Sequence, residues 1–126
     1  MCSVTPQADP APADAPRSVL DAGLRAPLQR EMTDGAGVLR SAASLDRAAA
    51  ALARLATPGA RPNTGSWEAS NLLTVASALV AAARRREETR GCHWREDFPA
   101  ASPRWLGHLL AGIDGTGGLT GTWEPA

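Results

Sequence analysis

The feature that most constrains the fold is the stretch of residues 66–90, an apolar run on helical spacing that ends in charge. Leu72, Ala76, Leu79, Val80 and Ala83 recur with a period near 3.6 residues, one side of an α-helix, and no Gly or Pro interrupts them. Ser66 suits an N-cap, and Glu68 places negative charge in the first turn, where the helix dipole favours it. Gly91 stands where a left-handed C-terminal cap is expected. The pattern predicts a helix from Trp67 to Arg90, roughly 36 Å long at 1.5 Å per residue. One such helix cannot bury its own stripe, so its neighbours must supply facing stripes.

Two of those neighbours precede it. Leu24, Leu28 and Met32 recur every four residues, which predicts a first helix from Ser18 or Pro27 to Val38. Pro27 fits only its first turn, and Gly35 and Gly37 weaken its end. Ser41 can cap a second helix whose face is Leu45, Ala48, Ala49, Leu52, Leu55 and Ala56, stopped by Thr57, Pro58 and Gly59. Beyond Pro99, residues 108–113 and 119–123 can pair across the glycine-rich loop between them. The fold class expected is all-α, a three-helix bundle with a short C-terminal β-hairpin, occupying residues 22–126. Residues 1–21, rich in Pro and Ala, are expected to be a disordered tail or linker.

Composition narrows the function. Net charge is zero, with 13 basic residues, all Arg, against 13 acidic ones, so no global field draws the chain to nucleic acid or anionic lipid. Aromatic residues make up only 4%, which leaves a thin core of Leu, Val and Ala and points to support from another surface. Cys2 and Cys92 form no disulfide framework, and no signal peptide or membrane-length apolar run is present, so a cytoplasmic setting is expected. Cys92, His93, Cys2 and His108 lack metal-ligand spacing, and no metal site is expected. No Ser stands in a nucleophile elbow. The glycines at 115–121 imitate a dinucleotide fingerprint, but Thr120 holds the third glycine's place and no helix can follow. The chain therefore shows no catalytic or cofactor-binding residues of its own.

What remains is the strip of residues 84–99. On a continuous helix Arg90 shares its azimuth with Leu72, five turns of about 3.6 residues earlier, and Arg86 lies close by. The core-facing stripe would then end in guanidinium groups. These either complement the helix dipole beside surface pairs such as Arg84–Glu88 and Glu87–Arg90, or meet another protein body. Trp94 and Phe98 are expected to be anchors packed under the strip.

Residues 86–99 resemble the signature R-x-E-S-R-G-x-H-x-R-x-D-[YF]-P of the C-terminal helical domain in the succinate dehydrogenase/fumarate reductase flavoprotein family. Leu28-Gln29-Arg30-Glu31-Met32, Ala36-Gly37-Val38-Leu39-Arg40 and Glu68-Ala69-Ser70-Asn71-Leu72 resemble that domain's first and third helices, and the L-aspartate oxidase branch is the nearest in pattern. Thr89 replaces the usual Ser, and Cys92 the usual Ala or Leu. The resemblance implies FAD-dependent oxidation of L-aspartate to iminoaspartate, the first step of bacterial de novo NAD synthesis. In the family the FAD-binding and capping domains precede this segment, so the chain is not expected to be catalytic alone. Its implied partner is a flavin-binding domain, carried in cis in the family, with supply in cis or in trans left open for this chain. Arg86, Glu87, Arg90, His93, Arg95 and Asp97 are the residues expected to form a polar interdomain interface. The alternatives are the C-terminal domain of a succinate dehydrogenase or fumarate reductase flavoprotein subunit, or a stand-alone helical protein-binding module.

Overall fold

A computed structural model describes residues 19–126; the expected tail, with Cys2, lies outside them up to position 18. A 3-10 turn, Ala22–Leu24, leads into α1 (Arg25–Ala36), which carries Pro27 in its first turn, where no amide hydrogen is missed. A two-residue strand, β1 (Leu39–Arg40), joins it to α2 (Ala42–Leu55), then comes α3 (Thr64–Arg85). The remainder is β2 (Trp94–Arg95), a 3-10 turn at Pro103–Trp105, and the hairpin of β3 (Gly107–Ile113) and β4 (Leu119–Pro125). The expected three helices and hairpin are all present.

The helices pack around Leu28, Ala36, Leu45, Ala48, Leu52, Ala76, Val80 and Ala83, with Met32, Leu55, Leu72 and Leu73 partly buried at the edge. Each fully buried leucine in such a core is worth about 1.5–3 kcal/mol. Small residues let the helices approach closely: a Cβ on Gly35 would stand 2.8 Å from that of Ala48. Val19 and Leu20 are also buried, held by a bridge to Ala60 and by the Leu20 amide donating to Ser70 Oγ at 2.9 Å. Among the described residues no helix is long and apolar enough to cross a membrane.

Several local expectations give way. α3 starts one turn earlier than Ser66 would make it, because Asn63 caps it: its side chain accepts from the Ser66 amide and Ser66 Oγ accepts from the Asn63 amide, a reciprocal capping box. Glu68 is therefore past the first turn and pairs with Arg25 at 3.0 Å. Leu79 is exposed, and the buried line of α3 is Ser66, Ala69, Ala76, Val80 and Ala83. Most consequentially, α3 ends at Arg85, so Arg90 does not lie on its stripe. Gly91 does adopt a positive φ of 58°, but in a tight turn closed by two backbone hydrogen bonds between Arg90 and His93. The parallel pairing of β1 with β2, Leu39 beside Trp94 and Arg40 beside Arg95, had no counterpart in the sequence pattern.

Candidate functional site

The strip is built where α3 stops. Arg86 takes an extended conformation and the chain turns back, leaving the last carbonyls of the helix without amide partners. Arg95, on β2, fills that gap: its Nη1 donates to the carbonyls of Ala83 at 2.9 Å and of Arg84 and Arg86 at 3.3 Å. This places a guanidinium, only 2% exposed, at the negative end of the helix dipole. Its Nε and Nη2 grip both oxygens of Asp97, each at 2.8 Å. Asp97 in turn accepts from the Ala42 amide at 2.8 Å, in the first turn of α2. One ion pair thus joins the C-terminus of α3 to the N-terminus of α2, each charge at the helix end that favours it. The hydrogen bonds from Arg95, against some opposing cost of burial, hold the Asp97 carboxyl well below the usual carboxylate range.

Glu88 organises the other half. Its carboxylate is fully buried and accepts from Arg86 Nε at 2.9 Å, Arg90 Nε at 2.9 Å, Arg90 Nη2 at 3.1 Å and the Ser102 amide at 2.8 Å. Burial alone would raise its pKa; the hydrogen bonds from Arg90, Ser102 and Arg86 outweigh that and bring it down to about 2. Arg86 also donates to the carbonyls of Gly107 and Trp105, and lies over the Trp123 ring at 5.7 Å, which ties the hairpin to the strip. Trp105 and Trp123 meet edge to face at 5.3 Å beneath it.

His93 links the two halves. Its Nδ1 is 3.1 Å from Arg40 Nη1 and its Nε2 is 3.0 Å from the Arg86 carbonyl. A guanidinium only donates, so Nδ1 must accept and Nε2 must carry the proton given to the carbonyl. Burial first, then the cations Arg40, Arg95 and Arg86, push the imidazole pKa down against that carbonyl contact.

Of the six expected interface residues, Arg86, Arg90, His93, Arg95 and Asp97 belong to this one internal network. Glu87 stands outside it, exposed on an open groove with Arg84, Arg85, Arg104, Trp105 and Trp123. Arg84 pairs with Asp46, not Glu88. Trp94 is half exposed and so not packed under the strip, while Phe98 lies at its margin with the Arg95 guanidinium 5.0 Å from its ring. Glu88, expected only as a surface partner of Arg84, and Arg40, expected only as part of a family-like segment, turn out to be members of the network. The signal for Glu88 was its spacing: side chains two apart share a side of an extended segment, and Glu88 lies two from both Arg86 and Arg90.

Chemically the network is a staple. Among the described residues no buried side-chain polar atom lacks a partner, and no group of three or more His, Cys, Asp or Glu could hold a metal ion. Nor does the glycine-rich loop fit a flavin pyrophosphate. The Asp114 carboxylate takes the Thr116 and Gly118 amides for itself, and the loop closes a hairpin.

Comparison with known proteins follows the same outline. Residues 25–125 match the family described as "Fumarate reductase flavoprotein C-term". The chain is 50% identical over 101 residues to L-aspartate oxidase of Streptomyces coelicolor, covering 71% of this chain and 17% of that protein. It is 32% identical over 117 residues to the succinate dehydrogenase flavoprotein subunit of Rickettsia bellii, covering 82% and 20%. Among solved structures, the Mycobacterium smegmatis Sdh1 complex superimposes with a TM-score of 0.64 at 28% identity, over 82% of this chain and 20% of that one. The chain therefore spans about a fifth of the length of these relatives.

Proposed function

The chain belongs to the fumarate reductase flavoprotein C-terminal family, and from that membership we propose that it is the helical docking domain of an L-aspartate oxidase-like FAD enzyme. The flavin and the chemistry, oxidation of L-aspartate to iminoaspartate, reside in a flavin-binding body on which this domain sits. The observation that carries the reading is the 50% identity to L-aspartate oxidase, against 32% to the succinate dehydrogenase subunit. The strip supports a docking role because its geometry is fixed in advance: Arg95 and Asp97 lock two helix ends to one another, and Arg86, held by Glu88, ties the hairpin to them. Preorganised surfaces lose little entropy on association. In this reading Arg86, Arg95 and Asp97 build the docking end from within, while Glu87, Arg90 and His93 stand at or near its surface.

The test is a chimera in which residues 25–125 replace the matching segment of the Streptomyces coelicolor enzyme. It is expected to retain FAD through gel filtration and to oxidise L-aspartate at a rate within about tenfold of the parent, a difference of about 1.4 kcal/mol in barrier. A soluble chimera that releases its flavin and is inert toward L-aspartate would refute the reading.

A further inference from the structure

We infer that the outer face of the β1–β2 pair, carrying Leu39 and Trp94, is the surface that meets the flavin-binding body. Leu39 and Trp94 are in register on adjacent strands, and both are at least half exposed, at 55% and 50%. Side chains alternate along a strand, so the same two strands turn Arg40 and Arg95 inward, to His93 and to the end of α3. The pair is thus sealed by hydrogen bonds on one face and bare and apolar on the other. All-parallel sheets occur almost only with both faces covered, and this two-residue pair leaves its apolar face open. Isolated exposed apolar residues need no explanation, but a tryptophan and a leucine paired on an uncovered parallel sheet do.

The occupant follows from the size of the relatives. Each carries this segment as about a fifth of one polypeptide, so a body roughly four times larger is joined to it. A patch of a few side chains is short of the about 800 Å² per partner typical of a stable complex between separate proteins, which weighs against a second copy of this chain. For domains joined in one chain the effective concentration is high, and a small apolar contact is enough. The Arg95–Asp97 staple beneath fixes the patch to both α2 and α3, which suits a permanent contact.

This inference rests on the proposed docking function, and the chimera separates the two. In the chimera, amide exchange at residues 38–40 and 94–98 is expected to slow at least tenfold relative to the chain alone. Leu39→Asp with Trp94→Asp should abolish that protection and lower flavin retention at least tenfold. Circular dichroism of the free chain with the same two substitutions should keep its helical signal, because neither side chain belongs to the core between the helices. An active chimera whose protection and flavin retention are indifferent to the double substitution would overturn the assigned face and leave the docking function standing. An inert, flavin-free chimera would remove both. Dimerisation of the free chain, abolished by the double substitution, would give the face to a second copy and overturn the inference.

Discussion

Glu88 and Arg90, with one residue between them, form a two-point ion pair, Nε to Oε1 at 2.9 Å and Nη2 to Oε2 at 3.1 Å. The carboxylate is fully buried, whereas the Arg90 side chain is 39% exposed. The two ends of the pair are therefore unequal. Glu88→Ala would strand Arg86 against the carbonyls of Trp105 and Gly107 without its counter-charge and free the Ser102 amide, a loss of about 3–5 kcal/mol. Arg90→Ala leaves Glu88 with Arg86 and Ser102, a smaller loss because the removed side chain is partly solvated. Urea unfolding of the two variants is expected to rank them in that order.

Acid should act through the same carboxylate. Glu88 is held at about 2 in the fold, below its ordinary value of 4.5, so the unfolded chain binds the proton first. Its contribution is fully present above pH about 4.5 and is lost as pH falls toward about 2. Asp97, depressed by Arg95, acts in the same direction. Thermal midpoints followed from pH 6 to pH 2 should fall, and Glu88→Gln should flatten part of that fall while lowering the plateau.

His93 works in a different window. Its folded pKa lies below the ordinary 6.5, so the stability it contributes is present above that value and is lost as pH drops through it toward the folded pKa. Protonation would set an N–H against the Arg40 guanidinium 3.1 Å away. A nuclear magnetic resonance titration of the imidazole should give a midpoint below 6.5, and Arg40→Met should move it upward. A midpoint that Arg40→Met leaves in place would show that burial and the other two arginines, Arg95 and Arg86, set the value without Arg40.

The helices were legible because their apolar spacing is regular and their stops are chemically plain: Ser41 caps α2, and Thr57, Pro58 and Gly59 follow it. The hairpin was legible in its glycine-rich loop, where the pairing of Ile113 with Leu119 sets the register. The end of α3 was not. Arg84 to Arg90 contains no helix breaker, and every residue in it is acceptable in a helix. What stops the helix is tertiary: Arg95, ten residues beyond Arg85, takes the terminal carbonyls, and Glu88 gains two guanidinium groups only if the chain unwinds. The strip was recognisable as a motif while its wiring was not, because partners two residues apart, Glu88 with Arg86 and Arg90, meet only when the chain leaves helical geometry.

The crossing of α1 and α2 gives a further expectation. A Cβ added to Gly35 would lie 2.8 Å from the Ala48 Cβ and 3.0 Å from the Ser44 carbonyl oxygen. Neither neighbour can swing away, since one is a methyl fixed to its backbone and the other is backbone itself. Replacing a helical Gly by Ala ordinarily gains up to about 1 kcal/mol in propensity, whereas overpacking costs about 1–3 kcal/mol. The clash should win, and Gly35→Ala is expected to lower stability despite the better helix former. Gly35→Val should lower it further. Ala48→Gly added to Gly35→Ala would remove one of the two close contacts and recover part of the loss, which a double-mutant cycle by chemical denaturation would read as a favourable coupling. Full additivity in that cycle would mean that the two helices separate freely and that Gly35 does not set their distance.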